Sequence, residues 1–383
     1  MLRRHRHALP AAAALLLLAV ATPLTAAAAD DSGGSAGAAS QLPPQCQLDD
    51  GSYPPHTNLT FLGPARAIQA GGIDWSYHRF GNASAGQPPL VMIHGLGGTQ
   101  YDWPMRVLQG LAAGREVVIF DNPRAGLSND SSTAPLSIEG MAESTMQLLR
   151  ALELEQPDVL GFSMGGMVAL ALAAEYSVEL GAVVAVGGSA GGPDAPQPEG
   201  GMDAVLRAIV EAGPESINLV FPGGTNDTEG YCNLMVNVAS LQLAVTPQTD
   251  STDSGYGLRA GIIPSPAALS VSTDVKNQQR EATDAFYTGP SLVPQLRNSS
   301  SQILLLAGGQ DRVIPPTTQS QLAAQLLAAN LVQVPDAGHL VAFQHPDGFA
   351  QQVASFLDAA QAVDPQQLAP FYPAAAQVDA PPH

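Results

Sequence analysis

The sequence predicts an α/β fold in which helices cover both faces of a mostly parallel central sheet. Short apolar runs alternate with stretches of helical periodicity through most of the chain, a pattern typical of strand–helix units with parallel strands. The chain has 383 residues, 45% of them hydrophobic, which is enough for a large core. The alternation stops at residues 190–300, which indicates an insertion within the order of the sheet.

Six apolar runs of four to six residues mark the expected strands. Runs this short, rich in Val, Ile and Leu, are typical of strands buried on both faces of a parallel sheet. The strands are expected at Pro89–His94, Glu116–Asp121, Asp158–Phe162, Ala182–Val186, Gln302–Ala307 and Leu331–Val334.

Helices are expected between these strands. Ser137 precedes a stretch with apolar residues at helical spacing, and its hydroxyl can accept a hydrogen bond from the first helical turn. The helices are expected at Ile138–Leu152, Met164–Tyr176 and Thr317–Ala329, and a closing helix begins over Phe349–Phe356.

Residues 190–300 are rich in Pro and Gly and contain short helical pieces such as Met202–Glu211. This segment is too long for a structureless loop in a compact domain. We predict that it forms a lid or cap over the carboxyl ends of the strands, where it would build a substrate pocket. The core is then divided into residues 58–189 and 301–363.

The first 29 residues have the pattern of a secretory signal peptide. Three arginines among the first six residues precede an apolar stretch centred on Leu15–Val20, and small residues follow. We therefore expect cleavage near Ala29 and a secreted or extracellular protein. A membrane anchor is disfavoured because the apolar run is short and is followed by Pro23. A transit peptide for an organelle such as a plastid stays open as the alternative.

Two features after the signal bear on the compartment. The chain has two cysteines, Cys46 and Cys232, which permit one disulfide between the N-terminal segment and the insertion. Two unrelated thiols are the alternative. Five Asn-x-Ser/Thr sequons, more than chance gives, predict a glycoprotein. They lie at Asn58, Asn82, Asn129, Asn226 and Asn298.

Residues 30–57 are expected to be a flexible segment and residues 364–383 a disordered tail.

The net charge and the absence of certain sequence motifs exclude several partners. With 34 acidic and 15 basic residues, the chain carries a formal charge of −19, so nucleic acid is not an expected partner. After removal of the signal no stretch is suited to span a membrane. No Cys/His cluster has metal-ligand spacing and no G-x-G-x-x-G follows a first strand, so neither a metal nor another cofactor is expected. The oligomeric state is left open.

The sharpest chemical motif is GFSMG at residues 161–165, which fits G-x-S-x-G between an expected strand and an expected helix. A strained turn there would hold the hydroxyl of Ser163 over the sheet edge as a nucleophile. An oxyanion hole needs two backbone N–H donors aimed at the developing charge. We expect these from Met164 and from Leu96, which lies in the glycine-rich run HGLGG at residues 94–98.

A nucleophilic serine needs a base, and the base needs a carboxylate to hold its tautomer. We expect His339, in a Gly-containing loop after the last strand, as the base. Asp311, which follows the strand at Gln302–Ala307, is the expected acid, and the order Ser, Asp, His suits this architecture. His345 is the rival base, whereas His94 is expected to be a hydrogen-bonded structural histidine.

Other polar and aromatic residues near these motifs are expected to be structural. Asp336 is expected to hold only its own turn, and Asp158 lies at the wrong end of its strand. Asp121 begins a run, DNPRAGLS, typical of a structural loop in which Arg124 pairs with a carboxylate. Tyr101 and Trp103 are expected in the core rather than in the pocket.

Together, four motifs resemble the α/β-hydrolase fold superfamily. They are HGLGGT at 94–99, FDNPRAGLS at 120–128, GFSMGG at 161–166, and GGQDRVIP at 308–315 with DAGH at 336–339. The resemblance covers roughly residues 60–190 and 300–360. It is to the broad group of serine hydrolases that contains esterases, enol-lactone hydrolases, carbon–carbon bond hydrolases and cofactor-free haloperoxidases.

The resemblance implies an α/β-hydrolase fold with Ser163 as nucleophile, Asp311 as acid and His339 as base, and with Leu96 and Met164 forming the oxyanion hole. Dehalogenases and epoxide hydrolases are similar only in fold, since their nucleophile is an aspartate. The chain departs from many members by having Pro123 before Arg124. The inserted lid resembles none that we can assign, so the resemblance implies no particular substrate.

We therefore expect a serine hydrolase that cleaves a small-molecule carboxylic ester or lactone through an acyl-enzyme. A proline-releasing aminopeptidase on the same triad is one alternative, and it would need lid carboxylates such as Glu211, Glu215 or Glu229 to bind a free amine. A hydrolase-like binding protein or receptor with little turnover is the other, because a fold does not fix a function.

Overall fold

The structure is a computed structural model that describes residues 42–54, 57–211, 216–245, 265–326 and 329–361. The expected signal peptide and the expected C-terminal tail at 364–383 lie outside these residues.

A nine-stranded sheet forms the centre of the described chain. Its strands are β1 (Arg66–Ala70), β2 (Ile73–Gly81), β3 (Leu90–Ile93), β4 (Glu116–Phe120), β5 (Asn129–Asp130), β6 (Asp158–Phe162), β7 (Val183–Val186), β8 (Ile303–Gly308) and β9 (Ala329–Val334). The order is β1-β2-β4-β3-β6-β7-β8-β9, with β5 on β2. The pairs from β4 to β9 are parallel, and β2 pairs antiparallel with β1, β4 and β5.

Eleven α-helices lie in the described residues. They are α1 (Met105–Ala112), α2 (Ile138–Ala151), α3 (Met164–Glu175), α4 (Met202–Glu211), α5 (Ser216–Val220), α6 (Thr228–Val245), α7 (Thr273–Thr288), α8 (Val293–Leu296), α9 (Pro316–Gln325), α10 (Val341–Gln344) and α11 (Pro346–Gln361). None of the described helices is long and apolar enough to cross a membrane.

The two faces of the sheet carry separate apolar clusters. In β3, Val91 and Ile93 pack into the cluster that contains α2 and α3, whereas Leu90 and Met92 pack into the cluster that contains α1 and α11. Alternate residues of a strand point to opposite faces, so a fully apolar strand buries both. The expected α/β fold, with a mostly parallel sheet covered on both faces, is confirmed.

The six expected strands are present within two residues of their expected bounds. The expected helix Thr317–Ala329 is shorter, because β9 begins at Ala329. Strands β1, β2 and β5 and helices α1 and α10 were not predicted from the sequence. In β2 the buried positions include Ser76 and His78, whose polar atoms are satisfied by hydrogen bonds, so the strand does not show as an apolar run.

Helices α4 to α8 fall between β7 and β8, within the expected insertion at 190–300, and we call this segment the lid. Three bonds tie helix α6 to described residues that precede the lid in the chain. The disulfide Cys46–Cys232, with Cα atoms 5.4 Å apart, joins it to the N-terminal segment. The Thr57 N–H donates to Ser240 Oγ at 2.8 Å, and the Met105 N–H donates to Asn237 Oδ1 at 3.2 Å. Within the segment expected to be flexible, Leu42 and Cys46 are buried.

Candidate active site

The turn that carries Ser163 joins β6 to α3 and is held by close backbone contacts. Ser163 has φ 56° and ψ −119°, a region that side-chain-bearing residues rarely adopt. A Cβ atom on Gly165 would lie 2.1 Å from the carbonyl oxygen of Ile93, and one on Gly161 would lie 1.9 Å from that of Gly165. The glycines of the motif are therefore required by packing, and they leave the serine at the tip of the turn.

The structure brings together the three side chains expected to form the triad. His339 Nε2 lies 2.9 Å from Ser163 Oγ, and His339 Nδ1 lies 2.7 Å from Asp311 Oδ2. The other carboxylate oxygen, Asp311 Oδ1, accepts hydrogen bonds from the backbone N–H groups of Val313 and Ile314 at 2.8 and 2.9 Å. This arrangement holds the imidazole with Nε2 towards the serine hydroxyl, as proton transfer from serine requires.

The loops that carry the acid and the base follow the neighbouring parallel strands β8 and β9. The Gln310 N–H donates to the carbonyl oxygen of Ala337 at 2.8 Å, so the two loops are bonded directly to each other. A Cβ atom on Gly308 would lie 2.1 Å from the carbonyl oxygen of Gly338. This close approach sets the spacing between Asp311 and His339.

The two expected oxyanion donors lie beside Ser163. Leu96 lines the same cavity as Ser163, and a Cβ atom on the adjacent Gly95 would lie 3.0 Å from Ser163 Cβ. Met164 is the first residue of α3, where backbone N–H groups are free to bind negative charge. Within the described residues neither the Leu96 N–H nor the Met164 N–H has a hydrogen-bond partner. Both are thus available for an oxyanion.

The two rival histidines are not placed as bases. His345 Nε2 lies 3.4 Å from Asp336 Oδ1, in a different cleft from Ser163. His94 lies in the cavity wall and packs edge-on against the rings of Trp103 and Phe162. Burial lowers the pKa of His94, and its Nδ1 has no hydrogen-bond partner in the described chain. Ring packing thus holds the His94 side chain in the cavity wall.

The remaining aspartates serve structural roles. Asp121 accepts hydrogen bonds from the backbone N–H groups of Gln100 and Leu127 at 2.8 and 2.9 Å, and burial raises its pKa to about 7. Arg124 pairs with Asp130 at 2.9 Å in the same loop. Asp158 is buried against Arg115 at 2.8 Å, and its desolvation raises the pKa to about 6.

Two aromatic side chains near the oxyanion loop belong to the core. Tyr101 and Trp103 are buried and pack in the cluster that contains α1 and α11. The Tyr101 hydroxyl lies 2.9 Å from His78 Nε2. Neither side chain lines the cavity at Ser163, in agreement with the sequence analysis.

The cavity above Ser163 is walled mainly by apolar side chains of the lid. These are Leu206, Ile209, Ile217, Val220, Leu234 and Val238, and Leu340 and Phe343 add apolar surface beside His339. Polar lining comes from His94, Asp102, Ser216 and Asn237. Of the lid carboxylates named for a free amine, Glu211 and Glu229 do not line this cavity, and Glu215 lies outside the described residues.

No group of three or more His, Cys, Asp or Glu side chains in the described part of the chain is arranged to hold a metal ion. The polar groups assembled at the cavity are the Ser163 hydroxyl, the His339 imidazole with the Asp311 carboxylate behind it, and backbone N–H donors. That set matches nucleophilic acyl transfer.

A serine raised on a strand–helix turn, with His and Asp on the loops after later parallel strands, defines the class of α/β hydrolases. Residues 88–346 match the α/β hydrolase fold family, and the chain belongs to this family.

Three similar proteins illustrate the family. The chain is 24% identical over 306 residues to the magnesium-chelatase 30 kDa subunit of Rhodobacter capsulatus, with 79% of this chain and 97% of the relative covered. It is 23% identical over 283 residues to the 2-hydroxy-6-oxononadienedioate/2-hydroxy-6-oxononatrienedioate hydrolase of Escherichia coli, with 73% and 90% covered. The enol-lactonase from Burkholderia xenovorans shares the fold, with a TM-score of 0.58, 19% identity, and 76% and 100% of the two chains covered. The family and its hydrolase relatives support a hydrolase activity.

Proposed function

We propose that the protein is a serine hydrolase that cleaves a small-molecule carboxylic ester or lactone. The observation that carries the proposal is the pair of contacts made by His339, 2.9 Å to Ser163 Oγ and 2.7 Å to Asp311 Oδ2. Ser163 Oγ attacks the carbonyl carbon while His339 Nε2 takes its proton. The N–H groups of Leu96 and Met164 stabilise the oxyanion. His339 returns the proton to the leaving alcohol, and water activated by His339 then releases the acid.

The cavity supports an ester or lactone with an apolar part. Its lid wall is apolar, and among the described residues Asp102 is the one carboxylate in the lining. Asp102 Oδ2 already accepts hydrogen bonds from the Thr99 N–H and hydroxyl at 2.7 and 3.0 Å. The lining therefore favours an ester over a peptide with a free amine. The named activity of the Burkholderia xenovorans protein supports the lactone within this class.

We also propose that the protein is secreted and glycosylated. All five sequon asparagines are exposed in the structure, and a disulfide is typical of oxidising compartments. The test is the mass of the secreted protein before and after enzymatic removal of N-linked glycans. A loss of mass supports the proposal, and an unchanged mass contradicts the glycosylation.

The first experiment is hydrolysis of p-nitrophenyl esters of increasing acyl length by residues 30–383. The Ser163→Ala variant is compared with Ser355→Ala, which removes an exposed hydroxyl on α11 that does not line the cavity. We expect Ser163→Ala to lower turnover by several orders of magnitude, as loss of a triad nucleophile does, and Ser355→Ala to match the wild type. Equal turnover by Ser163→Ala and the wild type would contradict the proposed nucleophile. Absence of turnover in the wild type would favour a binding protein.

A further inference from the structure

A buried glutamine holds the backbone next to the proposed base. Gln344, the last residue of α10, is 3% exposed. Its Oε1 accepts a hydrogen bond of 2.7 Å from the backbone N–H of Gly338, the residue directly before His339. Its Nε2 donates to Oδ2 of Asp227, in the lid. One side chain thus connects the lid to the loop that carries the imidazole.

Asp227 is itself fixed to the lid helix α6. It directly precedes the helix, and its Oδ1 accepts a hydrogen bond of 3.1 Å from the Gly230 N–H in the first turn. Further along α6, Asn233 Nδ2 donates to the carbonyl oxygen of Phe343 at 2.9 Å. These bonds link α6 to α10 and, through Gln344, to Gly338, so a shift of α6 would act on both.

The base loop has little freedom to absorb such a shift. A Cβ atom on Gly338 would lie 2.6 Å from the carbonyl oxygen of Val220 and 2.7 Å from Cδ of Pro222. The Leu340 N–H donates to the same carbonyl oxygen of Val220 at 3.2 Å. His339 is thus held between two residues, Gly338 and Leu340, that are each bonded to another part of the chain.

Gln344 and Asp227 do not line the cavity at Ser163. Both line a separate surface cleft together with Glu229, Asp336 and His345. They can therefore act on the reaction only through other residues, and the bond from the Gly338 N–H to Gln344 reaches the residue directly before His339.

We propose that Asp227 and Gln344 form a positioning relay that couples lid helix α6 to the proposed base. The proposal rests on the proposed function, since it assigns the relay to the step in which His339 takes the serine proton. A displacement of about 1 Å in a catalytic group costs about a hundredfold in rate. Loss of the relay is accordingly expected to slow the reaction of Ser163 more than it weakens substrate binding.

The relay is tested by exchanging the amide of Gln344 and the carboxylate of Asp227 between the two positions. Gln344→Glu places a carboxylate against the Asp227 carboxylate, and Asp227→Asn places an amide against the Gln344 amide. In the double variant Asp227→Asn/Gln344→Glu, the asparagine Nδ2 donates to the glutamate, while Gly230 and Gly338 keep their acceptors. Gln321→Glu, at an exposed site on α9, is the control for added charge.

The measured quantity is the rate at which a fluorophosphonate probe modifies Ser163, with KM for an ester and the thermal unfolding temperature of each variant. We expect each single variant to react about tenfold to a hundredfold more slowly, with KM changed by less than about threefold. The double variant should return to within about threefold of the wild-type rate. Gln321→Glu should react like the wild type.

Two results would overturn the relay. One is a set of folded single variants that react with the probe at the wild-type rate, even where their unfolding temperature is lower. The other is a double variant no faster than the single variants. If Gln344→Glu does not fold, Gln344→Met replaces it, because methionine keeps the volume and loses both hydrogen bonds.

Hydrogen exchange separates failure of the relay from failure of the proposed function. We expect the amide of Gly338 to exchange faster in the single variants and to recover protection in the double variant. If the variants show this exchange pattern but the wild type does not react with the fluorophosphonate, the proposed function is contradicted and the relay is not. Unchanged exchange in the single variants contradicts the relay.

Discussion

The backbone N–H of Gly97 donates a hydrogen bond of 2.8 Å to Oε1 of Gln279, so lid helix α7 holds the loop that carries Leu96. Gln279 is fully buried, and Gly97 has φ 73°, which glycine adopts without strain. Because the Gly97 N–H is directed to the lid, the neighbouring Leu96 N–H is the one left for an oxyanion. The lid thus contacts both the expected oxyanion loop and the expected base loop.

Substitution Gln279→Leu is expected to lower kcat by about tenfold to a hundredfold. It leaves the Gly97 N–H without its acceptor, at a cost of about 1–3 kcal/mol, and the loop with Leu96 loses its fixed position. Removal of one oxyanion donor elsewhere costs about 100- to 1000-fold in kcat, and a displaced donor is expected to cost less. Steady-state kinetics on a p-nitrophenyl ester measure the change, with the exposed Gln321→Leu as control. Unchanged kcat with raised KM would contradict this role.

The disulfide Cys46–Cys232 is expected to stabilise the lid as well as the whole fold. It closes a sequence separation of 186 residues, and loss of such a link typically costs about 2–5 kcal/mol. The double substitution Cys46→Ser/Cys232→Ser should lower the thermal unfolding temperature and raise KM, because α6 lines the cavity through Leu234 and Val238. Wild type treated with a thiol reductant is the matched comparison and should behave like the variant. An unchanged KM in both samples would show that α6 keeps its place without the bond.

The expected triad could be found from the sequence because each residue follows a recognisable local pattern. Ser163 stands in a motif whose glycines are fixed by backbone contacts, and Asp311 and His339 each follow an apolar strand. Such patterns are local, so a single sequence reveals them.

The residues that hold the site in place gave no comparable signal. Gln279 and Gln344 act through hydrogen bonds to Gly97 and Gly338, residues 182 and 6 positions away along the chain. A buried glutamine looks like a surface glutamine in sequence, because its burial depends on which helix packs over it. Strand β2 was missed for the same reason, since buried His78 interrupts its apolar pattern.

The acyl-length preference is expected to depend on Ile209. This residue of α4 is buried in the lid wall of the cavity. Ile209→Trp should shift the preferred p-nitrophenyl ester to shorter acyl chains by filling the cavity, and Ile209→Ala should shift it to longer chains. A missing methylene changes the discrimination by about 1–3 kcal/mol in such pockets. Val210→Ala, at a neighbouring residue outside the cavity lining, is the control. The same length profile in all variants would place the acyl chain elsewhere.

Acid should destabilise the fold through His78. Its Nδ1–H donates to the carbonyl oxygen of Leu62 at 3.2 Å and its Nε2 accepts from the Tyr101 hydroxyl at 2.9 Å. The folded protein therefore stabilises the neutral imidazole. Burial lowers the pKa of His78 from 6.5 to about 4. The unfolded chain therefore takes up a proton below pH 6.5 while the folded chain does not, and the free energy of unfolding falls as pH drops towards 4. The raised pKa values of Asp121 and Asp158 act in the opposite direction.

A comparison of variants isolates the contribution of His78. Between pH 7.5 and pH 5, urea unfolding of the wild type should lose about 2 kcal/mol more than that of His78→Gln, whose amide can still donate and accept but does not titrate. Tyr101→Phe keeps the imidazole, so it should retain the steeper loss on acidification despite a lower stability at neutral pH. Equal pH dependence in the wild type and His78→Gln would mean that the folded protein binds a proton at His78 as readily as the unfolded chain does.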